Sequence, residues 1–130
     1  MGLVLYDNPV SSNALKVRFL LAELDLPYER REVPYPRPRP DWYVAVNPLA
    51  GIPAIDDDGL VLAESNAILR YLAAREGRDD LYPSDLVERA RVDWLLDHVS
   101  TWLRPAIYQI ETVAFGTRAG RGLFAEPPAP

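Results

Sequence analysis

The chain has 130 residues, 14 basic and 19 acidic side chains and a formal net charge of -5, an acidic balance that argues against a sequence-independent nucleic-acid binder. With no cysteine and one histidine, His98, it excludes a disulfide framework, a thiolate metal site, a Cys-x-x-Cys redox pair and a histidine cluster for zinc. No apolar run approaches the roughly 20 residues of a membrane span or makes a signal-peptide core, so a cytoplasmic globular protein is expected.

Residues 3–6 read as a short buried strand closed by the turn formers Asp7-Asn8-Pro9. Ser11-Ser12-Asn13 supply capping residues for an amphipathic helix whose stripe is Val17, Leu20, Leu21 and Leu24. Pro27 cannot continue that helix. A weaker strand over 28–33 completes a strand–helix–strand unit and predicts an α/β fold. Pro34, Pro36, Pro38 and Pro40 then alternate with Tyr35, Arg37 and Arg39, which forbids helix and sheet interior and predicts an extended surface connector. A short helix over 41–46 precedes Asn47-Pro48.

Apolar triplets at 53–55 and 60–62 flank Asp56-Asp57-Asp58-Gly59, the pattern of a tight hairpin. Glu64-Ser65-Asn66 open another helix, with Ile68, Leu69, Tyr71 and Leu72 facing inward and an end near Gly77. A linker over 78–84 leads to a longer helical pattern from Asp85, where Glu88 three positions on resembles a capping box. Its apolar face is Val87, Trp94, Leu95, Val99, Trp102 and Leu103, and Pro105 predicts a kink. The pattern runs on through Ile107, Ile110 and Val113 and breaks at Gly116, leaving a tail over 117–130 without periodicity. Lys16 and His98 read as surface residues. The domain expectation is therefore 1–77, a linker at 78–84, a helix over 85–115 and a tail over 116–130.

Ser11-Ser12-Asn13 with Lys16, Asn47-Pro48, Ile52-Pro53-Ala54 and Glu64-Ser65, in that order, resemble the landmarks of the glutathione-transferase family. The resemblance covers about residues 2–77 and, more weakly, 85–115. It implies a thioredoxin-like βαβαββα domain followed by one long helix of an incomplete all-α second domain. It also implies that Ser11, matching the serine of the theta- and phi-like classes, donates a hydrogen bond to the glutathione sulfur. Ser12 and Asn13 compete for that role.

By the same resemblance the Ile52–Pro53 peptide is cis, where a generic X-Pro bond is expected trans. The Ile52 backbone then pairs with the cysteinyl part of glutathione. Ser65 holds the γ-glutamyl carboxylate and Glu64 its ammonium group. A helix N-terminus suits a carboxylate because it presents unpaired N–H groups and partial positive charge. Without the resemblance, Ser65 reads as a plain helix cap.

Position 51, which often carries Gln, Lys or Arg in the family for the glycyl end, is Gly51 here. Arg37, Arg39 or Trp42 is the expected substitute. Trp102 and Tyr108 are candidates for an electrophile pocket, with ordinary helix packing as the alternative. The implied activity is conjugation of glutathione to a small apolar electrophile, with no metal, nucleic acid or membrane involved. The competing expectation is a non-catalytic binding or dimerisation module, favoured by Gly51 and by the single helix of the second domain. A thioredoxin-type redox protein is excluded by the missing cysteines. Uncovered apolar side chains on the 85–113 helix, such as Leu96, Ile107 and Ile110, predict a homodimer using that helix and the 64–77 helix.

Overall fold

The structure, a computed structural model, describes residues 2–115. The expected break at Gly116 and the tail over 117–130 lie outside the described residues. Two compact units divide between Tyr82 and Pro83. The first runs β1 (Leu3–Asp7), α1 (Ser12–Glu23), β2 (Glu29–Glu32), α2 (Asp41–Val46), β3 (Ala54–Asp57), β4 (Leu60–Ala63), α3 (Ser65–Arg75). This is the thioredoxin-like βαβαββα order.

The four strands lie in the order β2-β1-β3-β4. β1 pairs parallel with β2 and antiparallel with β3, and β3 pairs antiparallel with β4. Successive side chains of a strand point to opposite faces, so β1 feeds two cores. Leu3 and Leu5 join Val17 and Leu21 of α1, Ile55 of β3, and Ile68 and Leu72 of α3 on one face. Tyr6 and Ala54 pack with Val33 and Tyr43 on the other. Leu5, Leu21, Ile55 and Leu72 are fully buried, and each such side chain contributes about 1.5–3 kcal/mol by leaving water.

The strand expected over 28–33 shortens to Glu29–Glu32, all four residues of which are exposed. β2 is an edge strand, and its row of charges protects an edge that would otherwise template pairing with another chain. The hairpin turns on Asp58 (φ 50°) and Gly59 (φ 97°), while Asp57 pairs with Leu60 across the sheet. Two positive φ values in a two-residue loop match the twist of the flanking strands, and glycine adopts the second without a Cβ clash. Gly77 (φ 64°) closes α3 in the same way: its N–H donates to Ala74 O and that of Arg78 to Ala73 O.

The second unit contains α4 (Leu86–His98), a five-residue π-helical stretch (Val99–Leu103) and α5 (Arg104–Phe115). Asp85 caps α4 by accepting from the backbone N–H groups of Val87 at 3.1 Å and Glu88 at 3.0 Å. Just before Pro105, where a kink is expected, the helix widens into this π-helical stretch. The Arg104 N–H reaches back to Val99 O, five residues away. Proline lacks an N–H and its ring crowds the preceding turn, and a π turn accommodates both. Trp94 and His98 stack with ring centroids 5.6 Å apart. Val87, Trp94, Leu95, Trp102 and Leu103 are exposed.

Candidate active site

Ser11 is the N-cap of α1, with extended backbone angles that turn its side chain back over the helix end. Its Oγ accepts from the Ala14 N–H at 3.2 Å. The same hydroxyl donates to the Ile52 carbonyl at 3.4 Å, across 41 residues of sequence. Ser11 is buried, whereas Ser12 is exposed and Asn13 half-buried. The three expected competitors are thus separated by position: Ser11 alone is the cap, and its hydroxyl lies against the Ile52-Pro53 segment.

The Ile52–Pro53 peptide bond is cis, and so is Arg37–Pro38. The segment before Pro53 is held by its own carbonyls. Gly51 O accepts from the Tyr43 hydroxyl and, at 3.0 Å, from the Asn47 amide. Ala50, at φ 55°, donates its N–H to Asn47 O at 2.7 Å. Arg39 adds a clamp, its Nε donating to Ala50 O at 3.2 Å and an Nη to Pro34 O at 3.0 Å. Its guanidinium also lies 5.3 Å from the Tyr35 ring centroid. Burial holds the Arg39 pKa below its usual value, with Arg37 adding to the shift. Arg37 itself is exposed.

Tyr43 is fully buried, and burial pushes its phenol above the ordinary range. A raised pKa means stability that is complete below about pH 10, the unfolded phenol value, and lost as pH rises through the folded value. Tyr43→Phe is therefore expected to cost about 1 kcal/mol at neutral pH through the lost bond to Gly51 O. The variant should also lose less stability than the parent between neutral and strongly alkaline pH. Urea melts at the two pH values check both signs.

Glu64 and Ser65 form the third part. Glu64 has φ 68° and ψ 109° immediately before α3. A non-glycine residue in that region is strained, and such strain gathers where a chain must present backbone to a ligand. Ser65, the first residue of α3, is buried, while Glu64 is exposed. Lys16, expected as a plain surface charge, is half-buried and donates to the Asn66 side-chain oxygen at 2.7 Å. That bond ties the first turn of α3 to the second turn of α1. Ser11, Ile52-Pro53 and Glu64-Ser65, far apart in sequence, thus lie at the N-terminal ends of two neighbouring helices and the turn between them.

Trp42 is partly exposed on α2, with its ring centroid 6.4 Å from Tyr6 and 5.7 Å from Tyr43. Trp102 is exposed in the π-helical stretch, and Tyr108 lies beneath the Arg104 guanidinium at 4.2 Å. Both belong to the second unit. Among the described residues no group of three or more His, Cys, Asp or Glu is placed to hold a metal ion. None of their helices is long and apolar enough to cross a membrane.

Two buried residues at the end of β1, Asp7 and Asn8, carry no sequence signal of their partners. Asp7 is fully buried, with one carboxylate oxygen paired to Arg18 at 3.2 Å and to Arg30 at 2.5 Å. Its other oxygen is buried with no hydrogen-bond partner. Asn8 is also buried. Both read in sequence only as turn formers, and Arg18 at the eleventh position beyond Asp7 gives no local signal of the pairing.

The βαβαββα order and the cis-proline turn define a thioredoxin-like domain, with a helix-capping serine and a second helix N-terminus beside that turn. The family model described as Glutathione S-transferase, N-terminal domain, matches residues 10–75. Glutathione S-transferase theta-3 of Mus musculus is 38% identical over 107 residues, covering 80% of this chain and 44% of that protein. The human theta-1 enzyme is 39% identical over 107 residues, covering 80% and 45%. A human theta-class structure in complex with the glutathione conjugate of 1-menaphthyl sulfate superposes with TM-score 0.79 at 31% identity, over 87% of this chain and 48% of that one. A theta-class structure from Xanthomonas axonopodis pv. citri with glutathione bound superposes with TM-score 0.69 at 34% identity, over 78% and 50%. The chain belongs to the glutathione S-transferase family. It spans about half the length of the curated relatives it matches.

Proposed function

We propose that this chain binds glutathione at the end of its sheet and activates the thiol for conjugation to a small apolar electrophile. The observation that carries this reading is the Ser11 hydroxyl, held at the N-terminus of α1 and against Ile52 O. Because Oγ already accepts from Ala14, its own hydrogen is the donor left to give. Turning that hydrogen from Ile52 O to a sulfur releases the carbonyl for a peptide N–H of the ligand. A hydrogen bond to a charged group is worth roughly 1.5–3 kcal/mol, which lowers a thiol pKa by about one to two units. The helix N-terminus favours the anion as well. The thiol proton leaves to solvent, and the sulfur lone pair forms the new bond to the electrophilic carbon as the leaving group departs. No general base is required.

In the same reading Ser65 and the first N–H groups of α3 receive the γ-glutamyl carboxylate, and Glu64 its ammonium group. Arg39, clamped beside Ala50-Gly51, takes the glycyl end that Gly51 has no side chain to hold, with Trp42 nearby on α2. A homodimer belongs to this reading, supported by the exposed apolar side chains Trp94 and Leu95 on α4. A cytoplasmic setting also belongs to it, since that compartment keeps glutathione reduced.

Calorimetric titration with glutathione, beside turnover of a chromogenic electrophile, tests the proposal. Ser65→Ala is expected to weaken glutathione binding by about tenfold, the loss of one charge-assisted hydrogen bond. Absence of heat with the parent chain would overturn the reading. The second reading, a non-catalytic binding module, rests on Gly51, and binding without turnover would favour it.

A further inference from the structure

We infer that Asn8 is a positioning residue for Ser11, through a turn that its side chain bolts to the end of β2. The inference rests on the proposed role of Ser11 and adds a residue to it.

Asn8, Pro9, Val10 and Ser11 form a β-turn closed by the Ser11 N–H donating to Asn8 O at 3.0 Å. Asn at the first position and Pro at the second are the residues such a turn favours. The Asn8 side chain uses both of its polar atoms. Its oxygen accepts from the Val10 N–H at 3.1 Å, which stiffens the turn from within. Its amide donates to Val33 O at 2.8 Å, a buried bond across 25 residues. The Val33 N–H in turn donates to Asp7 O at 2.8 Å, so Val33 and Asp7-Asn8 exchange a pair of bonds. Pro34, the next residue, is held by Arg39, which also holds Ala50.

The Asn8 side chain thus joins the turn that leads to Ser11 to Val33 at the end of β2. The geometry bears on chemistry because the Ser11 hydroxyl must aim at a sulfur, and a hydrogen bond weakens steeply with misdirection. A loosened turn leaves helix α1 in place through its core residues while the cap residue wanders. The signature is loss of thiol activation with little loss of glutathione affinity, since the Ser65 and Ile52 contacts belong to other segments.

The test uses the whole chain, with Asn8→Ala, Asn8→Ser and Ser11→Ala. Asn8→Ser keeps a short acceptor for the Val10 N–H but cannot reach Val33 O. It is the milder variant if Asn8→Ala fails to fold. Thiolate absorbance of bound glutathione is titrated against pH, and its affinity is measured by calorimetry. The expected result is a bound-thiol pKa raised by about one unit in Asn8→Ser, a tenfold loss of thiolate at a pH well below it, with affinity changed less than about threefold. A merely structural role would weaken binding and lower the melting temperature without moving that pKa. A folded Asn8→Ser variant that titrates as the parent, while Ser11→Ala shifts, overturns the role of Asn8 alone. A parent chain that leaves the bound thiol at its solution value overturns the Ser11 reading and this inference with it.

Discussion

Replacing Ser11 with alanine is expected to lower turnover by about 10- to 100-fold at neutral pH, the kinetic equivalent of a lost hydrogen bond to a thiolate worth roughly 1.5–3 kcal/mol. Glutathione should still bind, because the contacts proposed for its two ends and its backbone lie on α3, the Arg39 clamp and Ile52. The sign of the pH effect follows directly. Without the donor the bound thiol titrates closer to about 8.5, so the rising limb of the pH–rate profile moves to higher pH and the deficit shrinks in alkaline solution. Helix α1 also loses its cap, at about 1 kcal/mol, so the assay belongs well below the melting temperature. Ser11→Thr keeps hydroxyl and cap and should recover most of the loss. A Ser11→Ala profile that superimposes on that of the parent would remove Ser11 from the mechanism.

The largest stability effect is expected from the double variant Arg18→Ala/Arg30→Ala. Asp7 has no exposed surface, and both arginines reach the same carboxylate oxygen. Breaking a buried pair by removing its partners leaves an uncompensated charge and costs about 3–5 kcal/mol. Because the arginine side chains are themselves 23% and 38% exposed, water replaces them in part, and the loss is smaller than for a fully buried pair. Each single variant should cost less than half of the double variant's loss, since the remaining arginine still pairs with the same oxygen. This non-additivity is the diagnostic feature. Adding Asp7→Val to the double variant should restore part of the loss, because the buried charge is then gone. Denaturant melts of the five proteins check the pattern, and strictly additive single effects would contradict it.

Several elements were readable because their signals are local. The stripe of Val17, Leu20, Leu21 and Leu24, the short helix over 41–46 and the Asp-Gly hairpin each depend on residues within a few positions of one another. The edge strand was read too long because Tyr28 and Val33 are apolar. They pack into the two cores from either side of β2, while the strand itself lies exposed between them. Pro105 signals a local disturbance of the helix because it lacks an N–H, and the π-helical stretch lies just before it. Lys16 looked like an ordinary surface charge because its partner, Asn66, lies 50 residues away.

The sequence by itself carried the family's landmarks in order, Ser11, Ile52-Pro53 and Glu64-Ser65. The missing cysteines exclude a Cys-x-x-Cys redox pair, and activation of glutathione's thiol through a hydroxyl is what the resemblance to the family implies. Composition and charge also fixed what was excluded. Only the tertiary structure distinguishes the three candidate side chains by position. Ser11, Ser12 and Asn13 are equivalent as capping residues in a string of letters. The fold separates them by bringing Ile52 O to Ser11 and by bolting Asn8 to Val33. Those contacts span 41 and 25 residues, distances over which periodicity and spacing carry no information, because they depend on how the strands order themselves in the sheet.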